Sequence, residues 1–375
     1  MEKYYIATLN AVSKVGHQSV KKLVEVFGSA ENVWKADLNE LTKAGINKGA
    51  AENLVEFRSQ HPDAVEKLIE FCNVKKVKLC TFFDKGYPPI LKEISGSPVI
   101  FYYCGELKPN AERISIVGTR DPTFYGEKIA RMLGNEFAAT GLTVVSGAAR
   151  GIDTLAHKAA LKVGRTLAVL GYGINKIPRE KRNFFEEITE SGGLIMTEFP
   201  PNFDGNAGTF PARNRIIAGL SRSVIIVEAG EKSGALITAG FAADNSREVF
   251  VIPHDIFSQK GVGCNNLIRD GATLITCAAD VLDSDCYNLD SNKSILQKVL
   301  QKFEIEHEEK KVAPKAELDA TEKLIYDAIP VDDSITLDEI LEKVEEVEPS
   351  EISSIMLSLE MKGYISEKDD TYTRI

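Results

Sequence analysis

Apolar and polar positions along the 375-residue chain follow three different rhythms. Residues 1 to about 105 repeat apolar positions at helical spacing and break at glycine-bearing turns: Val15-Gly16-His17, Phe27-Gly28-Ser29 and Ala44-Gly45-Ile46, the last leading into a helix through Phe57. Glycine at such turns supplies the positive φ that a tight helix–helix connection requires. This predicts a helical module of the helix-hairpin-helix kind. Such units can present loop amides to DNA phosphates, although a purely structural or protein-binding module is the stronger reading of the pattern.

From 106 to 283 the rhythm changes. Short β-branched runs at 114–118, 143–147, 166–171, 193–198, 223–229, 248–253 and 272–275 alternate with helical stretches near 125–140, 152–163, 179–191, 214–220, 234–246 and 264–269. Such alternation predicts an α/β fold, a doubly wound and largely parallel sheet with helices on both faces. Ligands of these sheets bind beyond the carboxyl ends of the strands. The glycine turns fall there.

Residues 284–315 are polar and charged and read as a linker, with one helical segment from Ile295 to Phe303. Residues 316–375 then read as helices at Thr321–Ala328, Thr336–Val344 and Pro349–Lys362, followed by a hairpin from Tyr364 to Ile375. The last helix and hairpin resemble those of a winged-helix domain.

Charge separates the parts further. The tail from Ala316 holds 17 Asp and Glu against 5 Lys and Arg, a balance of −12, so residues 1–315 carry +2 of the net −10. Polyanion binding therefore stays open for the body and is poor for the tail, for which protein contact is the favoured reading. No apolar run approaches the roughly 18 residues of a membrane helix, and no export signal is visible. The six cysteines show no CxxC spacing and read as reduced thiols of a cytoplasmic protein, with no structural metal.

The chemistry concentrates at the strand ends. Gly118-Thr119-Arg120 closes one strand, and Ser146-Gly147-Ala148-Ala149-Arg150-Gly151 closes the next. A strand, a glycine turn and a helix start gather free N–H groups and the positive end of a helix dipole at one point. An arginine at each turn completes a phosphate site. Phe210-Pro211-Ala212-Arg213-Asn214-Arg215 joins two further cations to a helix start. Lys232-Ser233-Gly234 opens another helix, with Ser233 as its cap. Gly171-Tyr172-Gly173 lacks the rest of a dinucleotide fingerprint, and no GxxxxGK[ST] loop is present, so neither NAD nor a nucleoside triphosphatase is indicated. No catalytic constellation is found. His157 and His254 read as structural or exposed, Asp153 as a helix-start carboxylate, and Glu198 and Glu228 as isolated strand-end carboxylates. Phe124, Tyr172 and Phe210 could stack bases, with burial the commoner explanation for each.

Five motifs in order, GTR (118–120), SGAARGIDTLAH (146–157), FPARNRIIAGLS (210–221), KSGALITAG (232–240) and GCNNLIRDGA (263–272), resemble the DNA-processing protein A family, DprA/Smf. The resemblance implies a Rossmann-like central domain that binds single-stranded DNA without sequence preference. It also implies a homodimer through that domain, protection of incoming strands during natural transformation, help in loading the RecA recombinase, and no catalytic activity or cofactor. Carried over onto this chain, the family's phosphate-binding arginine falls on Arg120 and its turn amides on Ser146 to Gly151. Its Arg-Asn-Arg element falls on Arg213, Asn214 and Arg215, and its Lys-Ser-Gly element on Lys232, Ser233 and Gly234. Lys176 is a weaker carry-over. Pro253-His254 departs from the family's usual Pro-Gly. A nucleotide-processing enzyme on a related sheet, or a protein adaptor with a vestigial pocket, are the alternatives from other functional classes.

Overall fold

The computed structural model describes residues 1–284, 286–287, 318–330, 334–344, 347–362, 364–368 and 371–374. It divides into two compact units, Met1–Val299 and Leu300–Ile375. Most of the expected linker, including the helical segment at 295–303, lies outside the described residues.

The first unit begins with six helices, α1 (Glu2–Ala11), α2 (His17–Phe27), α3 (Ala30–Lys35), α4 (Leu38–Lys43), α5 (Lys48–Gln60) and α6 (Ala64–Lys75). Gly28 and Gly45 take left-handed φ of 74° and 85°, as the turns demanded. Gly16 does not. It caps α2 in an extended conformation, and Lys14 carries the positive φ of that turn instead. Asp37 and Glu40 form a reciprocal capping box at α4.

The sheet has nine strands. β1 (Lys78–Thr81) and β2 (Ile100–Gly105) precede β3 (Arg113–Val117), β4 (Thr143–Ser146), β5 (Thr166–Val169), β6 (Leu194–Thr197), β7 (Ser223–Ile226), β8 (Glu248–Val251) and β9 (Thr273–Leu274). Their order is β1-β2-β6-β5-β4-β3-β7-β8-β9. β6 through β9 along that order pair in parallel, while β1 and β2 add an antiparallel hairpin on the β6 edge. Strand pairing thus carries the sheet back to Lys78, ahead of the expected boundary at 105/106. The run Ile100–Gly105 pairs with β6, some ninety residues downstream, and nothing local in the sequence announces that partner.

Between the strands lie α7 (Pro89–Lys92), α8 (Phe124–Ala139), α9 (Ile152–Leu161), α10 (Arg182–Glu190), α11 (Thr209–Gly219), α12 (Gly234–Asp244), α13 (Val262–Arg269) and α14 (Ala278–Leu282). Successive residues of a strand face opposite sides of the sheet. Leu167 and Val169 pack on one side with Ile216 and Ile217 of α11 and Ala235 and Ala239 of α12. Ala168 and Leu170 pack on the other with Phe185 and Ile188 of α10. α11 starts five residues earlier than the pattern suggested, because Pro211 fits a first helical turn whose N–H groups have no intrahelical partner.

The chain walks from β3 outward to β6, then returns to β7 on the other side of β3. The strand order reverses between β3 and β7, and that reversal opens a crevice at the carboxyl ends. No helix among the described residues is long and apolar enough to cross a membrane.

The second unit holds helices Ala320–Ala328, Leu337–Lys343 and Pro349–Met361 and a three-stranded antiparallel sheet of Ile335–Thr336, Thr371–Arg374 and Ile365–Lys368. Ile325, Ile340, Ile352, Met356 and Leu359 fill its core. Three helices and a hairpin thus stand where the sequence pattern placed them.

Candidate nucleic-acid interface

The segments that follow β3, β4 and β7 meet beside the switch point. The turn after β3 is seated by hydrogen bonds from Thr119 N to the Glu228 carbonyl (2.8 Å) and from Ile152 N to the Thr119 carbonyl (3.2 Å). Gly118 lies against Ile152 and the Glu228 backbone, and Gly151, at φ 85°, lies against the Thr119 and Arg120 backbone. A side chain at either glycine would displace the turn. Arg120 is exposed, its guanidinium 5.8 Å from the Phe210 ring centroid. Arg150 is exposed beside it and donates from Nε to the Arg120 carbonyl at 3.1 Å. The two arginines of adjacent strand ends therefore share one surface, as the sequence pattern required.

The turn after β4 is built differently from a bare amide nest. Asp153 accepts from the N–H groups of Gly147 (3.1 Å) and Ala149 (3.3 Å). Ser146 spends its hydroxyl on the Ile116 carbonyl at 2.6 Å. These amides hold the turn's shape, and a phosphate there meets arginine side chains before it meets free N–H groups. Burial pushes the Asp153 carboxyl above its usual range, against the opposing pull of Arg213 and the two amides.

Arg213 is buried and Arg215, its side chain 14% exposed, is mostly so. Arg213 is 5% exposed and runs under the β4 turn, where its Nη1 donates to the carbonyls of Gly147 (2.9 Å) and Val169. Gly147 has no room for a Cβ above that guanidinium. Burial lowers Arg213 to about 10, so it stays charged at neutral pH. Arg215 makes a bidentate pair with the buried Glu198, at 2.5 and 2.6 Å, and donates to the Gly96 carbonyl at 3.0 Å. His17 Nε2 reaches the same carboxylate at 2.6 Å, so this cluster ties α2 to the sheet. Burial alone would raise Glu198, but hydrogen bonds from Arg215 and His17 hold it down to about 2. Asn214 bridges, accepting from Arg213 Nε and donating to the Gly234 carbonyl.

The remaining expected residues divide. Lys232 and Gly234 are exposed at the start of α12, with Ser233 Oγ accepting from Ala235 N at 3.3 Å, so a helix N-terminus faces the crevice. Lys176 lies on the loop after β5 and pairs with Asp204 at 3.0 Å. Phe124, at 60% exposure, opens α8 next to the Arg120 turn, while Tyr172 and Phe210 are half-buried against each other. His254 is anchored by Nε2 on the Val227 carbonyl (2.8 Å) and lies edge-on to Tyr125. His157 is buried, hydrogen-bonded to Thr166 at 2.5 Å, and held neutral by burial with its pKa down to about 3.

One cation escaped the sequence reading. Lys181 donates to the Ala148 carbonyl at 2.7 Å, and the charge of Arg120 bears on both Lys181 and Arg213. Its signal was the basic run Arg179-Glu180-Lys181-Arg182 in the loop that leads from β5 into α10. Lys181 and Arg213 thus bear on Asp153, Arg120 bears on both of them, and Arg150 adjoins Arg120, a cluster of positive charge that suits an anion. Among the described residues, no group of three or more His, Cys, Asp or Glu side chains could hold a metal.

The chain matches the family model described as DNA recombination-mediator protein A over residues 78–285. It is 40% identical over 298 residues to Protein Smf of Synechocystis, covering 76% of this chain and 72% of that one. It is 36% identical to Protein Smf of Escherichia coli, covering 89% and 86%. Among solved structures, DNA processing protein A of Streptococcus pneumoniae superposes with a TM-score of 0.64 at 34% identity, covering 75% of this chain and 97% of that one. The family match begins at β1, where the sheet begins. By sequence and fold, the chain belongs to the DNA recombination-mediator protein A family.

Proposed function

We propose that this chain binds single-stranded DNA without sequence preference along the carboxyl edge of its sheet. The observation that carries the proposal is the pair of exposed arginines, Arg120 and Arg150, presented together by glycine turns at the ends of two adjacent strands. Arg120, Arg150, Lys181, Lys232 and the start of α12 give anion points spread along one edge. That spacing suits a polymer of phosphates better than one small ligand. Phe124 and Phe210 beside Arg120 offer faces on which bases stack irrespective of sequence. Arg213, Arg215 and the Asp153-capped turn act behind this surface by holding its shape.

Family membership supports the wider reading: the bound strand is protected and the RecA recombinase is loaded onto it during DNA uptake, in the cytoplasm and without catalysis. A homodimer through the central unit fits the sheet's β9 edge, where Leu274 is 46% exposed on a strand that pairs on one side alone among the described residues. The acidic second unit is assigned to protein contact. Lys362, the basic residue closing its last helix, is already paired with Glu322.

The discriminating experiment offers the protein single-stranded DNA, duplex DNA and nucleoside monophosphates in parallel. Tight binding of the single strand with no turnover of the monophosphates supports the proposal. Ribosyl-bond cleavage would assign an enzyme, and no binding at low salt would leave an adaptor.

A further inference from the structure

The loop after β5 carries cations beyond the glycine turns. It contains Lys176, Arg179, Lys181 and Arg182 against the acidic Glu180. Lys181 is stapled to the β4 turn through the Ala148 carbonyl, so this loop continues the surface of Arg120 and Arg150. Its next residue, Arg182, stands on the rim of a groove of about 370 Å³ between the end of α6, β2 and α10. Phe71, Val77, Ile177 and Phe185 give the groove an apolar lining. The opposite rim is Lys75, followed by the exposed Lys76 and Lys78. Asn175 and Glu186 also line it and add polar groups.

We propose that this groove takes one nucleobase of the bound strand, with Lys75 and Arg182 meeting the phosphates on either side. The inference rests on the single-strand reading above and gives the strand a direction: from the Arg120 turn, across the ends of β4 and β5, toward the helical module. Its volume lies within the roughly 300–1,000 Å³ of sites that hold small organic groups. An apolar slot between two cationic rims is complementary to a nucleoside within a strand, whose base is apolar on its ring faces and whose sugar is flanked by a phosphate on each side. Phe71, half-buried on the wall of the slot, offers an aromatic surface for a base, while the buried Phe185 closes the floor. Asn175 and Glu186 can meet polar groups on a base edge without fixing which base it is.

Continuity with the glycine turns makes the groove a second subsite for one strand, so its contribution depends on strand length. The test compares the full-length protein with the double charge reversal Lys75→Glu/Arg182→Glu, both residues being exposed. Oligo-dT strands of about 6 and about 16 nucleotides span the range of known single-strand site sizes. The expected result is unchanged binding of the short strand and weakened binding of the long one. The log–log salt slope for the long strand should fall by roughly 1.4, two contacts at about 0.7 each. A single abasic nucleotide walked along the long strand should cost the unmodified protein roughly 5- to 150-fold at one register. That dip should vanish in the double variant. Unchanged affinity and slope for the long strand in the double variant, or no register dependence with the abasic series, would overturn the groove. Failure of the unmodified protein to bind either strand would instead overturn the single-strand reading itself.

Discussion

Arg213 separates a contact role from a scaffold role, since the motif suggests DNA contact and the geometry places it beneath the turn. Substituting Arg213→Leu removes a buried guanidinium that donates to Gly147 and Val169, and leaves Asp153 without its opposing charge. Removing one member of a buried charged network costs about 3–5 kcal/mol. The first unit is described from Met1 to Tyr287. At roughly 2.1 cal/mol/K per residue its unfolding entropy is about 0.6 kcal/mol/K. The melting temperature should therefore fall by roughly 5–8 °C. Arg120→Ala, at an exposed position, should stay within about 0.5 kcal/mol of the parent, a shift under roughly 1 °C. Thermal denaturation followed by circular dichroism reads both. An Arg213→Leu protein that melts with the parent yet fails to bind DNA would refute the reasoning, because Arg213 would then be spending its charge on the ligand.

Three further outcomes follow from the same geometry. Gly151→Ala places a side chain at φ 85° against the Thr119 and Arg120 backbone, so stability should drop by about 2 kcal/mol or more, with strand affinity lost alongside; a fully active, equally stable variant contradicts the seating of the turn. Two depressed pKa values set the acid limb. His157 falls from 6.5 to about 3, so stability is full above pH 6.5 and declines below it; Glu198 falls from 4.5 to about 2, adding about 3 kcal/mol that is present above pH 4.5 and lost as pH drops toward 2. A denaturant series between pH 7 and pH 5 should show the His157 part, and a His157→Gln variant should flatten it. Truncation to residues 1–315 should leave most of the affinity for single-stranded DNA in place by gel shift, and losing most of it would move the acidic tail into the DNA site.

The sheet's parallel core was legible because its central strands β3, β4 and β7 are β-branched runs that lead into glycine-bearing turns, and a helix follows each. Period and punctuation there are local properties. β1 and β2 were not legible, since Lys78-Leu79-Cys80-Thr81 is short and its partners are distant. At the site, the exposed role of Arg120 and Arg150 could be read from turns that end strands. The buried roles of Arg213 and Arg215 could not be read from charge. A clue existed in α11: Arg213 lies three and four residues before Ile216 and Ile217 and so shares their buried face. Arg215 had no such clue, because its partner Glu198 comes from β6's end and Gly96 from the loop before β2. The Asp153 cap likewise depends on a turn geometry that composition does not show.

The central claim is that an exposed arginine pair on glycine turns holds a single strand. Fluorescence anisotropy of a labelled oligo-dT, titrated with unmodified protein and with Arg120→Ala at several salt concentrations, tests it most directly. Tight binding is expected, with a log–log salt slope of roughly 0.7 per phosphate contacted, weakened in Arg120→Ala with a shallower slope. Binding that is insensitive to salt, or identical in the two proteins, would contradict it.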